Sequence, residues 1–224
     1  MIMRKEYILF DLDGTLTDSQ EGIFKSVQYA LENIGIKEED EELLKKYIGP
    51  PLIESFKAFH GLDDETALKC VGKFRERYNV TGLYENKLMD GMKECIAALH
   101  DSGRKLALAT CKPENVAVQI IEHFKIDKYF DALVGSSLDD SRKYKNQVIE
   151  EAFRRLGEID KGFTKEAAIM VGDRKDDVLG AKKAGIECIG VRLGFAEENE
   201  LENAGADYIV DTAEELTKLI IGQE

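Results

Sequence analysis

The chain has 224 residues, 43% hydrophobic and 33% charged, with a formal net charge of -13. That length buries a sizeable core in one or two domains, and that charge excludes a general basic face for nucleic acid. A site for an anion on so acidic a chain must concentrate positive charge locally or recruit a metal.

No secretory leader is readable before Asp11 and no window reaches membrane-spanning length, so a cytoplasmic protein without a membrane partner is expected. Four scattered cysteines, Cys70, Cys95, Cys111 and Cys188, form no CxxC pair and read as reduced thiols.

In chain order, a first β-like run covers Tyr7–Phe10. A stretch of helical pattern follows, with candidate helices at Gln20–Ile34, Glu39–Ile48, Pro51–Phe59 and Asp63–Tyr78. From there helices and strands alternate. The helices are Met92–Ser102, Pro113–Phe124, Lys145–Leu156, Asp177–Ala184 and Ala213–Ile221. The strands are Lys105–Ala109, Ala132–Val134, Ala168–Val171, Cys188–Val191 and Tyr208–Val210. This alternation predicts an α/β fold, a Rossmann-like parallel sheet with helices on both faces. The core is expected over residues 1–17 and 88–224, interrupted by an all-helical second domain over 18–87. Gly82, beside Thr81, suits the return hinge, with a plain turn as its other reading.

The first run ends on Asp11-Leu12-Asp13-Gly14-Thr15. Ligands of parallel sheets bind beyond the carboxyl ends of the strands. Two acids so close repel unless a cation intervenes, and oxygen ligands beside a substrate phosphate suggest Mg²⁺. An Asx-turn is the competing explanation. The second run ends at Thr110, whose hydroxyl can bond a phosphate oxygen. Ser141-Arg142-Lys143-Tyr144-Lys145 opens a later helix, and one of its lysines can neutralise phosphate charge. The run Ala168–Val171 leads into Gly172-Asp173 and on to Asp177, further carboxylates for a metal; helix capping also accounts for acids at Asp176 and Asp177.

Four strand ends in order thus carry Asp/Asp, Thr, Lys and Asp. The chain thereby resembles the haloacid dehalogenase-like hydrolase superfamily over essentially its whole length. Its insert resembles the helical cap of the phosphoglycolate phosphatase branch, notably at Tyr47-Ile48-Gly49-Pro50-Pro51-Leu52. The resemblance implies a Mg²⁺-dependent phosphatase acting on small phosphomonoesters, phosphoglycolate-like or nucleoside 5′-monophosphates. Asp11 is then the nucleophile forming an aspartyl-phosphate, and Asp13 the general acid and base. Mg²⁺ is held by Asp11, the Asp13 backbone and Asp173, with Asp177 in support. Thr110, Lys145 and backbone amides near Leu12 and Thr15 bind the phosphoryl oxygens. Gly49, Pro50, Pro51 and Leu52 read the substrate.

Asp13 argues against a dehalogenase, whose halide leaves without a proton, and against the phosphonate hydrolases. The uncharged Pro50-Pro51-Leu52 loop argues against a phosphomutase of the β-phosphoglucomutase type. That mutase, and a non-catalytic binding protein on the same fold, are the alternatives. His60, near Phe56 and Phe59, is read as a helix-end residue rather than a substrate contact.

Overall fold

The computed structural model describes residues 5–139 and 141–222. The chain divides into two compact units, Met1–Thr17 with Leu88–Glu224, and Asp18–Lys87.

The first unit is built on a six-stranded sheet. Its strands are β1 (Tyr7–Phe10), β4 (Lys105–Pro113), β5 (Ala132–Ser136), β6 (Ala168–Gly172), β7 (Glu187–Val191) and β8 (Tyr208–Val210). The spatial order is β5-β4-β1-β6-β7-β8, and every pairing is parallel. The strands are apolar almost throughout because both faces are covered. On one face Tyr7, Leu9, Ala107, Ala109 and Met170 pack with Val148, Ala152 and Phe153 of α7 (Lys145–Ile159) and with Val178 and Ala181 of α8 (Lys175–Ala184). The remaining helices of this unit are α5 (Met92–Asp101), α6 (Glu114–His123), α9 (Glu200–Ala204) and α10 (Ala213–Ile221). Thr212 caps α10, its hydroxyl accepting from Glu215 N at 3.1 Å. β1 lies between β4 and β6, the strands that lead to opposite edges, so its carboxyl end is the switch point where α/β sheets bind ligands.

The second unit holds α1 (Gln20–Glu32), α2 (Glu41–Lys45), α3 (Leu52–His60) and α4 (Asp64–Tyr78). α4 packs on both α1 and α3. Asp40 and Asp63 cap α2 and α4 through side-chain bonds to backbone amides. Val27, Leu31, Leu44, Tyr47, Phe56, Cys70 and Phe74 are buried in this unit. Its end is tied by Arg77, which grips Glu85 through two bonds of 2.7 and 3.0 Å. The chain crosses between the units at β2 (Thr17–Asp18) and β3 (Lys87–Leu88), two-residue strands too short for a sequence pattern to register.

Gly82 is buried in a 3₁₀ turn, Gly82–Tyr84, where a Cβ would come within 2.8 Å of both Ser26 Oγ and the Tyr78 ring. The facing Gly22 of α1 is tighter still, for its Cβ would sit 1.9 Å from the Gly82 carbonyl oxygen. Gly72, on the exposed side of α4, has nothing within 4 Å. The same replacement therefore has opposite signs at the two helical sites. Gly72→Ala is expected to stabilise by about 0.5–1 kcal/mol through helix propensity, and Gly22→Ala to destabilise by about 1–3 kcal/mol through overpacking. Urea unfolding of the two variants beside the wild type checks both signs.

Candidate active site

β1 ends at Phe10, and Asp11 follows with its amide bonded to the Val171 carbonyl at 2.9 Å. The next residues make a tight loop. The Leu12 carbonyl accepts from Leu16 and Thr17, both at 2.9 Å, and more weakly from Thr15 at 3.3 Å. Gly14 turns this loop with φ +83, a conformation that costs a side-chain-bearing residue energy. The Thr15 amide is thus spent within the loop, while its hydroxyl donates to Asp173 Oδ1 at 3.2 Å.

Asp173 follows β6 directly, and Asp177 is the third residue of α8. Lys145 is the first residue of α7, and its ammonium reaches Asp11 Oδ1 at 2.8 Å, Asp177 Oδ1 at 2.7 Å and the Ala109 carbonyl at 3.1 Å. The two lysines of the 141–145 stretch lie in different settings. Lys145 is buried against the acids, whereas Lys143 is exposed, its ammonium 5.5 Å from the centre of the Tyr144 ring. Thr110 is buried at the same end of β4, its hydroxyl oxygen accepting from Lys112 N at 3.2 Å.

Asp11, Asp173 and Asp177 bring one carboxylate oxygen each within 4.8 Å of one another. Lys145 is the ammonium paired with two of them. Burial opposes charge on Lys145, but Asp11 and Asp177 outweigh it and hold its pKa well above the usual lysine value. The acids move the other way. Burial, then Asp177 and Asp11, push Asp173 well above the usual carboxylate range. Burial raises Asp177 to about 6, with Lys145 pulling it down and Asp11 raising it. Three carboxylates against one ammonium leave an excess of negative charge when all are ionised, and a hard divalent cation with oxygen ligands is the group that relieves it. The residues present therefore fit Mg²⁺.

Some parts of the site were not visible in the sequence. Lys112 places its ammonium 2.7 and 3.0 Å from the two oxygens of Asp13. Its only signal was a lysine two residues beyond Thr110. The turn at Gly194-Phe195 also serves the cluster, for Phe195 N donates to Asp173 Oδ2 at 2.7 Å. A Cβ on Gly194 would lie 2.2 Å from the Gly14 carbonyl oxygen, so only glycine lets this turn close so tightly. Burial pushes the Cys111 thiol up to about 11, away from the reactive thiolate form. Gly49, Pro50, Pro51 and Leu52 belong to the helical unit, where Gly49 has φ +106 and Leu52 opens α3. His60 is the last residue of α3, its ring 6.1 Å from that of Tyr47, and burial lowers its pKa.

The chain belongs to the haloacid dehalogenase-like hydrolase family, whose model matches residues 8–191. Among its relatives, a 5′-nucleotidase of Pseudomonas aeruginosa is 47% identical over 212 residues, 94% of each chain. A phosphoglycolate phosphatase of Vibrio parahaemolyticus is 28% identical over 225 residues, 95% of each chain. A crystal structure from Clostridium acetobutylicum, described as that of a predicted phosphatase, superposes with a TM-score of 0.87 at 46% identity, covering 96% of this chain and 97% of that one.

Lys145→Met should leave Asp11 and Asp177 facing each other without their counter-charge. A loss of about 3–5 kcal/mol is expected in the presence of chelator, as for one partner removed from a buried pair. Because the folded state raises the pKa of Asp177, it binds that proton more tightly than the unfolded chain does. Stability at this group is therefore lost as pH climbs from the unfolded carboxylate range through about 6. The variant should accordingly lose more at pH 7 than at pH 5, read by urea unfolding at both.

Proposed function

We propose that this enzyme is a Mg²⁺-dependent phosphatase that hydrolyses small phosphomonoesters through an aspartyl-phosphate on Asp11. The observation that carries the reading is the set of Asp11, Asp173 and Asp177, two of them paired with the buried Lys145, at the carboxyl end of β1, with Asp13 two residues from Asp11. A nucleoside 5′-monophosphate is the first candidate substrate, supported by the likeness to a 5′-nucleotidase, and a phosphoglycolate-like ester the second.

In this reading a carboxylate oxygen of Asp11 attacks phosphorus. The ester P–O bond breaks with its electron pair on the departing oxygen, which takes a proton from Asp13. Water then attacks the acyl phosphate, giving a proton back to Asp13, and phosphate leaves with Asp11 restored. Lys145 and Thr110 hold the phosphoryl oxygens as charge shifts among them. Asp11, the Asp13 carbonyl and Asp173, with Asp177 in support, would hold Mg²⁺, which would supply Lewis-acid charge at the phosphoryl group. Residues 1–17 and 88–224 form the catalytic core in this account. The helical unit over 18–87 is its cap, with Gly49, Pro50, Pro51 and Leu52 reading the organic part of the substrate.

Two measurements test this. Turnover of a panel of phosphorylated metabolites should require Mg²⁺ and vanish with excess chelator, with nucleoside 5′-monophosphates leading and hexose phosphate interconversion negligible. Full activity in chelator contradicts the metal role, and efficient interconversion of sugar 1- and 6-phosphates favours the mutase. Asp11→Asn, nearly isosteric, should keep the fold by circular dichroism yet lose roughly three or more orders of magnitude in kcat. Near-normal turnover in that variant excludes the covalent route.

A further inference from the structure

We propose that Lys112 is a positioning residue for Asp13, fixing the carboxylate that exchanges the proton with the leaving group; this rests on the phosphatase reading above. The ammonium addresses both oxygens of Asp13, at 2.7 and 3.0 Å. The lysine side chain is only 7% exposed and that of Asp13 18%, so this is not a solvated surface pair that salt and side-chain entropy would dissolve.

The lysine is also held from behind. β4 shifts register between Ala109 and Pro113. At that irregularity the Lys112 amide is caught by Thr110 Oγ1 at 3.2 Å. On the neighbouring strand, a Cβ on Gly135 would lie 2.6 Å from the Lys112 carbonyl oxygen and 2.6 Å from Glu114 N, so glycine there admits the bulged segment. Glu114, two residues on, is clamped by Arg142 at 2.8 Å and by Arg155 at 2.9 Å, and it accepts from Gly135 N at 3.2 Å. The segment from Thr110 to Glu114 is thus fastened at both ends. The lysine stem is aimed by the backbone, which lowers the rotamer entropy lost in gripping Asp13.

The geometry divides labour between two lysines. Lys145 sits on the nucleophile Asp11 and on Asp177, while Lys112 sits on Asp13. An ammonium acting on the phosphoryl group itself would matter for every ester. One acting through Asp13 matters only where the leaving oxygen needs a proton.

The full chain with Mg²⁺ is assayed as wild type, Lys112→Met, Asp13→Asn and the double variant. The substrates are glycerol 2-phosphate, whose alkoxide needs protonation, and p-nitrophenyl phosphate, whose phenolate does not. kcat/KM is compared, because it reports events up to departure of the leaving group. Lys112→Met should lose roughly 30-fold on the alkyl ester and less than about threefold on the aryl ester. Once Asp13 is Asn, Lys112→Met should cost less than about threefold on the alkyl ester as well.

Equal losses on the two esters, or an undiminished loss in the Asp13→Asn background, overturn the proposal in favour of direct phosphoryl contact. No loss on either ester also overturns it. Aryl activity reports that Lys112→Met is folded. Should it be inactive on both for want of folding, Lys112→Arg, which keeps the charge but displaces the donors, must show the same alkyl-selective loss or the proposal falls. A wild type inactive with Mg²⁺ on both esters and on nucleoside 5′-monophosphates overturns the phosphatase reading and this inference with it, whereas an active wild type whose ester ratio Lys112→Met leaves unchanged overturns this inference alone.

Discussion

Three carboxylates packed together, two of them on one buried ammonium, impose the constraint that the rest of the core obeys. Left alone, Asp11, Asp173 and Asp177 repel one another, and burial drives Asp173 and Asp177 toward protonation. Lys145 answers two of them, and the pull of those acids exceeds the desolvation cost of its own charge. The arrangement forces the topology to deliver four chain segments to one point: the end of β1, the end of β6, the first turn of α8 and the first residue of α7. A parallel sheet with β1 between β4 and β6, and with α7 and α8 packed on one face, does this without a long loop.

The acids are fixed by neutral donors as well as by charge. Asp173 spends one oxygen on the Thr15 hydroxyl and the other on the Phe195 amide, while Asp177 accepts from Arg174 N at 3.0 Å. A carboxylate oriented this way does not have to find its geometry when a cation or phosphate arrives, and that preorganisation is where sites of this kind gain most of their advantage. The close approach of the 194–195 turn to Gly14 is part of the same economy, since a side chain at either glycine would collide with Asp173 or its neighbours.

Much of this was legible in the sequence, for identifiable reasons. Tyr7–Phe10, Tyr208–Val210 and Ala213–Ile221 have the predicted bounds, because an apolar run or a Thr cap marks their limits sharply. β4 runs on to Pro113, beyond the expected Ala109, since Cys111, Lys112 and Pro113 carry no strand signal and owe their conformation to β5. The expected helix Glu39–Ile48 shrinks to Glu41–Lys45, with Asp40 as cap and Tyr47 and Ile48 turned into the interior. The helix Glu200–Ala204 is too short for periodicity to reveal. In the site, roles for residues on the quoted motifs could be expected because the resemblance to a known family carries them. Lys112 and the Phe195 amide could not, because their contacts with Asp13 and Asp173 exist only through the fold.

On the reading proposed above, in which the helical unit meets the organic part of the substrate, the charge of that unit bears on what the substrate is. Between residues 18 and 87 acidic side chains outnumber basic ones. Many of the cations there already have acidic neighbours: Lys25 with Glu21 and Glu85, Lys45 with Glu42, Lys57 with Asp64, Lys69 with Glu65, Lys73 with Glu76, and Arg77 with Glu85. Each exposed pair is worth little and could be broken by a ligand, yet every cation taken from such a pair leaves an acid behind. A helical unit of that composition gains little by drawing in a second phosphate. Its turn at Gly49, Pro50 and Pro51 adds no cation, only restricted backbone and apolar surface ahead of Leu52. Such a surface discriminates by shape and by the loss of water from uncharged groups. On the proposed reading, that favours an ester whose non-phosphate part is neutral, a nucleoside before a second charged sugar phosphate.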